Sequence, residues 1–216
     1  MIGRVTTTNP VGDAAAPRRR PVRDGLGFLG RFLRDPRSVG AVLPSSRYLA
    51  RALVGRLALQ PGELIVEYSP GTGPVTAVIA ECLPPGVKYL GIELDERFHG
   101  MLVERYPNLT FHHGSAADVQ SILAARGLPR PARIVSGLPF ASLPSAIQDG
   151  VIGGIDACLR GTNGEFRTFQ YVHAFRMAAA KRFRGRMLEH FDNYERIGPV
   201  VRNVPPAYVL RYWGAK

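Results

Sequence analysis

Short apolar runs alternate with amphipathic segments from residue 61 onward, and this alternation limits the possible folds more than any other feature of the chain. Runs at 63–68, 87–94, 109–113, 132–136 and 164–172 have the length and the β-branched or aromatic content of buried strands. The segments between them have helical length and begin at proline or capping residues. This order predicts an α/β domain whose parallel sheet is covered by helices on both faces.

Both ends of the chain depart from this alternation. A basic helix predicted at about 174–191 is followed by two strand-like stretches, 195–203 and 207–213, that flank Pro205 and Pro206. An antiparallel pair closing a doubly wound, mostly parallel, seven-stranded sheet accounts for them. At the other end, residues 1–23 are predicted to be a disordered basic arm, and residues 24–60 a helical extension that includes a helix at about 45–59. Residues 61–216 then form the main domain.

The charge of the chain favours a polyanionic partner. The 28 Lys and Arg residues exceed the 17 Asp and Glu residues and give a net charge of +11, which suits nucleic acid or an anionic membrane surface. An arginine-rich composition without functional meaning is the alternative. The extension carries an apolar stripe that fits either an interfacial helix or docking on the protein's own core, formed by Leu26, Phe28, Leu29, Phe32 and Leu33. No apolar run approaches the roughly 20 residues that span a bilayer.

A glycine loop follows the first predicted strand. It reads Glu67-Tyr68-Ser69-Pro70-Gly71-Thr72-Gly73, and Glu93 ends the second strand. Ligands bind open α/β sheets at the carboxyl ends of such strands, where glycines let the backbone approach closely. A dinucleotide site would use the same geometry, but Thr76 replaces the third glycine of that motif. Glu67 would also repel a pyrophosphate, whereas it suits the cationic end of S-adenosylmethionine.

The glycine loop and Glu93 resemble the cofactor motifs of class I methyltransferases that use S-adenosyl-L-methionine. The resemblance implies that Gly71 and Gly73 line the cofactor, that Glu93 binds its ribose, and that Glu67 orders the loop or holds the amino group. Ser115 stands where these enzymes often have an aspartate for the adenine amine, and Asp118 is a second candidate for that contact. The remaining residues of the predicted cofactor site are Tyr68, Ser69, Leu94, Ala116 and Ser136.

Three further motifs resemble the bacterial soluble-type phospholipid N-methyltransferases, which methylate phosphatidylethanolamine. They are Val39-Gly40-Ala41-Val42-Leu43-Pro44-Ser45-Ser46, Ser136-Gly137-Leu138-Pro139-Phe140 and Asn203-Val204-Pro205-Pro206-Ala207. Ribosomal RNA adenine dimethyltransferases share the core and are the main alternative. They carry Asn-(Leu/Ile)-Pro-(Tyr/Phe) at the second motif, and the asparagine amide grips the target amine. Gly137 lacks that amide and favours the lipid; a small-molecule methyltransferase and a non-catalytic binding module remain open.

A lipid substrate implies a set of site residues and a location. Ser136, Leu138 and Pro139 are predicted to position the amine, and Tyr48, Tyr171 and His173 are candidate bases. Phe140, Arg202 and Asn203 are predicted to bind substrate, with Arg202 on the lipid phosphate. We expect no metal, because His112 and His113 end a strand and Cys82 and Cys158 lack ligand spacing. A cytoplasmic enzyme, peripheral on the inner face of the membrane, is the expected arrangement.

Overall fold

The computed structural model describes residues 45–56 and 58–216. The predicted basic arm, the apolar stripe of the extension and the motif residues 39–44 lie outside these ranges. Within the described residues, no helix has the length and apolar character needed to cross a membrane.

The described residues form one seven-stranded sheet in the order β3-β2-β1-β4-β5-β7-β6. Strands β1 to β5 run parallel, while β7 is antiparallel to both of its neighbours, β5 and β6. This confirms the predicted doubly wound sheet with an antiparallel C-terminal pair. The strands are β1 Leu64–Tyr68, β2 Lys88–Glu93, β3 Thr110–His113, β4 Arg133–Ser136, β5 Glu165–Tyr171, β6 Phe191–Val200 and β7 Ala207–Ala215.

Six α-helices cover the sheet in the described residues, three on each face. The helices are α1 Arg47–Val54, α2 Pro74–Cys82, α3 Glu96–Arg105, α4 Val119–Ala125, α5 Ser145–Leu159 and α6 Ala178–His190. Helices α1 to α3 bury their apolar side chains against one face, and α4 to α6 bury theirs against the other. Short 3-10 turns at Ala116–Asp118 and Phe140–Ser142 follow β3 and β4. Capping residues fix two helix starts, since Ser46 accepts the Leu49 N–H and Asp95 accepts those of Arg97 and Phe98.

Three elements have a boundary that differs from the prediction by more than two residues. Helix α1 ends at Val54 rather than near residue 59, because Gly55 takes a backbone conformation with a positive φ of 58°. Arg133 and Arg167 then bind the Val54 carbonyl, and Arg133 also binds that of Arg56. Helix α6 begins at Ala178, because residues 172–177 form hydrogen-bonded turns instead. Strand β6 begins at residue 191, where it pairs with the end of β7. None of these shifts changes the sheet edge at which the predicted site lies.

Candidate active site

The loop between β1 and α2 is held in a tight left-handed conformation at the carboxyl edge of the sheet. Ser69, Gly71 and Gly73 have φ values of 53°, 59° and 84°, in the region that glycine adopts without strain. A Cβ atom on Gly73 would lie 3.1 Å from a Leu102 methyl group and 3.2 Å from the Tyr106 ring. The glycines predicted to line the cofactor therefore shape a loop with little room on its α3 side.

Glu67 is buried beneath this loop and organises it from below. Its Oε2 accepts hydrogen bonds from the Tyr89 hydroxyl at 2.6 Å and the Thr76 hydroxyl at 2.9 Å. Burial raises the pKa of Glu67 from 4.5 to about 7, against the lowering effect of these two hydrogen bonds. Of the two predicted roles, the geometry fits ordering of the loop and of the α2 start. Neither Thr76 nor Tyr89 was expected as a partner, because they lie on α2 and β2 and meet at Glu67 only through tertiary structure.

Glu93 joins the glycine loop to the end of β2. Its Oε2 accepts the Gly71 N–H at 2.8 Å, and its Oε1 accepts the Asp95 N–H at 2.9 Å. Burial raises the pKa of this carboxyl, while the backbone hydrogen bonds lower it. The side chain has no exposed surface in this structure. A bidentate ribose contact at Glu93, as the sequence predicts, therefore requires the loop around Gly71 to shift.

An apolar pocket opens beside the loop, between the ends of β2, β3 and β4. It brings together five predicted residues, namely Ser69, Leu94, Ser115, Ala116 and Leu138. Ile92, Gly114 and Val151 complete the lining and were not predicted. For Val151 the reason is that the sequence does not show which face of α5 meets the pocket. Aliphatic walls with one buried hydroxyl are the kinds of group that contact an adenosine, and the pocket must widen to admit one, because its volume in this structure is about 10 Å³. Ser115 accepts the Ala117 N–H, whereas Asp118 is exposed and lies outside the lining.

The loop after β4 lies directly against the glycine loop. The Gly137 N–H donates to the Tyr68 carbonyl at 2.8 Å, and a Cβ atom on Gly137 would lie 2.6 Å from the Ser69 carbonyl oxygen. Ser136 is buried, and its hydroxyl oxygen accepts the Leu138 N–H at 3.2 Å. Gln148 on α5 donates to the Phe140 and Leu143 carbonyls and fixes the rest of this loop. Gln148 was not predicted, although a buried amide on an apolar helix was a signal for it.

Two predicted site residues have side chains in the core instead. The Phe140 ring is stacked on Phe183 with a centroid distance of 4.1 Å and meets Phe166 edge to face. It has no exposed surface, so in this structure it cannot contact a substrate as predicted. The Tyr68 side chain is also fully buried, and only its backbone borders the cofactor loop. An aromatic residue in a sequence motif can belong either to the core or to the binding site, and both of these rings belong to the core.

The predicted bases and phosphate ligand lie farther along the same edge. Tyr48 is 49% exposed, and its hydroxyl oxygen accepts a hydrogen bond from Arg202 Nη1 at 3.3 Å. Asn203 is buried; its Oδ1 accepts the Ser46 N–H at 2.8 Å, and its Nδ2 donates to the Pro205 carbonyl. Tyr171 is stacked on His173. Burial raises the pKa of Tyr171, which makes its ionised form a scarcer base.

This geometry defines a class of enzyme. The strand order, the glycine loop above a buried glutamate and the apolar pocket beside it are those of a class I methyltransferase, and the chain is an S-adenosylmethionine-dependent methyltransferase. The fold matches that of fibrillarin from Aeropyrum pernix, solved with bound S-adenosyl-L-methionine, with a TM-score of 0.56 and 12% identity over 77% of this chain and 75% of that one. No group of acidic, histidine and cysteine residues in the described ranges has the geometry of a metal site.

No family model matches the chain, but its sequence is similar to those of two characterised groups of methyltransferases. The ornithine lipid N-methyltransferase of Singulisphaera acidiphila is 33% identical over 130 residues, which are 59% of this chain and 68% of that protein. The ribosomal RNA small subunit methyltransferase A of Thermotoga neapolitana is 28% identical over 123 residues, 56% of this chain and only 44% of that protein. The chain belongs to the same family as the Singulisphaera protein.

Proposed function

We propose that the enzyme methylates the primary amine of a membrane aminolipid. The observation that carries this proposal is the contact at Gly137, taken together with the identity to a lipid N-methyltransferase. Any side chain at position 137 would collide with the Ser69 carbonyl, so the loop has no amide for an adenine amine. An alkyl amine needs less positioning, because its lone pair is localised on nitrogen once the ammonium is deprotonated.

The described residues align the reactants and exclude water. S-adenosylmethionine supplies an electrophilic methyl group, so the protein's main contribution is orientation in a dry pocket. The pocket walls would hold the adenosine, and the loop from Ser69 to Gly73 would face the methionine part. The loop from residue 136 to residue 139 borders this region and would direct the incoming amine through its carbonyl oxygens. Tyr48 and His173 are the remaining candidates to take the ammonium proton.

The alternative function is N-methylation of adenine in ribosomal RNA. The identity to the Thermotoga protein supports it, and the net charge of +11 suits RNA as well as an anionic membrane. The core position of Phe140 argues against it, because an aromatic ring that stacks on a flipped base must be exposed to the site. We therefore rank the lipid first.

A methyl-transfer assay with parallel acceptors tests the proposal. Purified protein and labelled S-adenosylmethionine would be mixed with vesicles containing phosphatidylethanolamine, with vesicles containing ornithine lipid, or with ribosomal RNA. We expect label in at least one lipid, and the two vesicle arms distinguish the headgroups. A Glu93→Ala variant should lose cofactor binding and transfer together, because the glycine loop loses its hold on β2. Label in RNA alone would refute the proposal.

A further inference from the structure

The exposed large apolar side chains of the described residues are not scattered. Five of the seven lie at the carboxyl edge of the sheet, which is the edge that carries the pocket. Four of them form what we call the apolar rim, and Tyr48 adjoins it. The rim consists of Val172 and Met177 in the turn after β5, and Val201 and Val204 in the β6–β7 turn, with exposures of 38%, 52%, 70% and 69%.

The two turns of the rim are joined to each other and to α1. The Val172 N–H donates to the Pro206 carbonyl at 2.9 Å, which fixes the turn after β5 against the β6–β7 turn. Asn203, in the second turn, holds the start of α1 through the Ser46 N–H. The two turns of the rim are therefore held side by side, and the second turn is also tied to the start of α1. Folded proteins seldom expose such a concentration of apolar side chains without a partner.

The two stretches of chain that carry the rim are basic. No aspartate or glutamate occurs in residues 166–188 or in residues 196–216, whereas both stretches contain several arginines. Arg176 lies next to Met177, and Arg202 lies next to Val201; both arginines are exposed. Arg202 contacts only the hydroxyl and ring of Tyr48 among the interactions of the described residues. Such a surface suits an anionic bilayer, because the apolar side chains can contact the lipid hydrocarbon while the arginines contact the lipid phosphates.

We propose that the apolar rim docks on an anionic bilayer and turns the pocket toward the lipid headgroups. This inference rests on the proposed function, and it assigns the membrane contact to residues 172–177 and 201–204 rather than to the N-terminal segment alone. Docking through this edge lets an aminolipid reach the loop at residues 136–139 with its acyl chains still in the bilayer. The cost of extracting the lipid is then avoided.

A matched pair of double variants tests the rim. Met177→Asp with Val201→Asp places two negative charges on it, whereas Val103→Asp with Leu188→Asp makes the same change at two exposed positions near the opposite edge. Full-length proteins would be sedimented with phosphatidylcholine vesicles with and without phosphatidylglycerol. One charge near an anionic leaflet changes binding about fivefold, so the rim variant should bind at least about 25-fold more weakly. The control variant should bind as the wild type does.

Activity and assembly separate the remaining outcomes. Against a short-chain aminolipid dispersed as monomers, the rim variant should keep wild-type turnover, while its turnover on vesicles falls with binding. Equal vesicle binding by both variants would overturn the rim as the docking surface. Two other results would also overturn it. If the wild type is a dimer that the rim variant dissociates, a second copy covers the rim. If the rim variant has a lower melting temperature but unchanged vesicle binding, residues 1–44 cover it. Reduced binding without methylation of any lipid would retain the rim and refute only the proposed function.

Discussion

Replacing Gly137 by alanine should weaken cofactor binding through a single added atom. The new Cβ would lie 2.6 Å from the Ser69 carbonyl oxygen, well inside normal contact distance. Both partners belong to backbone that is hydrogen-bonded through Gly137 N–H and the Tyr68 carbonyl, so neither can move alone. Overpacking of this kind costs about 1–3 kcal/mol. Because relief requires the glycine loop to move, we expect S-adenosylmethionine to bind about 10-fold to 100-fold more weakly.

The measurement pairs chemical denaturation with calorimetric titration of the cofactor. Gly153→Ala is the matched control, because no atom lies near its added Cβ and the position is inside α5. That variant should gain about 1 kcal/mol of stability, as alanine does over glycine in a helix, and bind cofactor normally. Wild-type stability and cofactor affinity in Gly137→Ala would refute the close contact between the two loops. It would also refute the argument that position 137 has no room for a side-chain amide.

Three other changes probe the groups around the site. Glu67 has a pKa of about 7 in the folded protein against 4.5 when unfolded, so its contribution to stability is complete below pH 4.5 and is lost as the pH rises through 7. Over that range the free energy of unfolding of the wild type should fall by about 3 kcal/mol relative to that of Glu67→Gln in denaturation curves. The same pH dependence in both proteins would exclude the raised pKa. Asn203→Ala leaves the Ser46 N–H unpaired and should cost about 1–3 kcal/mol in thermal unfolding, whereas no loss would mean that water replaces the amide. Gln148→Leu removes two donors to the loop after β4 and should lower turnover more than cofactor affinity, and an equal loss of both would place its effect on the pocket instead.

Sequence reasoning predicted the central strands β1, β2, β4 and β5 well, because they are buried on both faces and carry a clear apolar signal. It also located Glu67 and Glu93, since both stand at strand ends beside a glycine loop. What it missed are partners that depend on tertiary contact. At the C-terminal end of α1, Gly55 was a local signal that the prediction overlooked, whereas nothing in the local sequence shows that Arg133 and Arg167 reach the Val54 carbonyl from distant strands.

The aromatic residues show a second limit. Phe140 sits in a motif that suggests substrate contact, and its ring nevertheless stacks on Phe183 in the core. An apolar side chain at a loop boundary satisfies either role, and only the position of α6 decides between them. Val151 is the converse case, a residue that lines the pocket but was not predicted to, because its place depends on how α5 is rotated against β4. Helix α5 carries apolar or small residues around most of its circumference, so its spacing does not mark the face that meets the pocket.

The hydrogen bond between Ser46 and Asn203 spans 157 positions of the chain, and it has a consequence for synthesis on the ribosome. Helix α1 is translated before every strand of the sheet, yet its first backbone N–H finds its acceptor only after β6 has emerged. Leu49 and Leu53, which the finished protein buries completely, have no complete docking surface until then. During translation the apolar side chains of α1 therefore stay without their final partners until the C-terminal strand pair has been made.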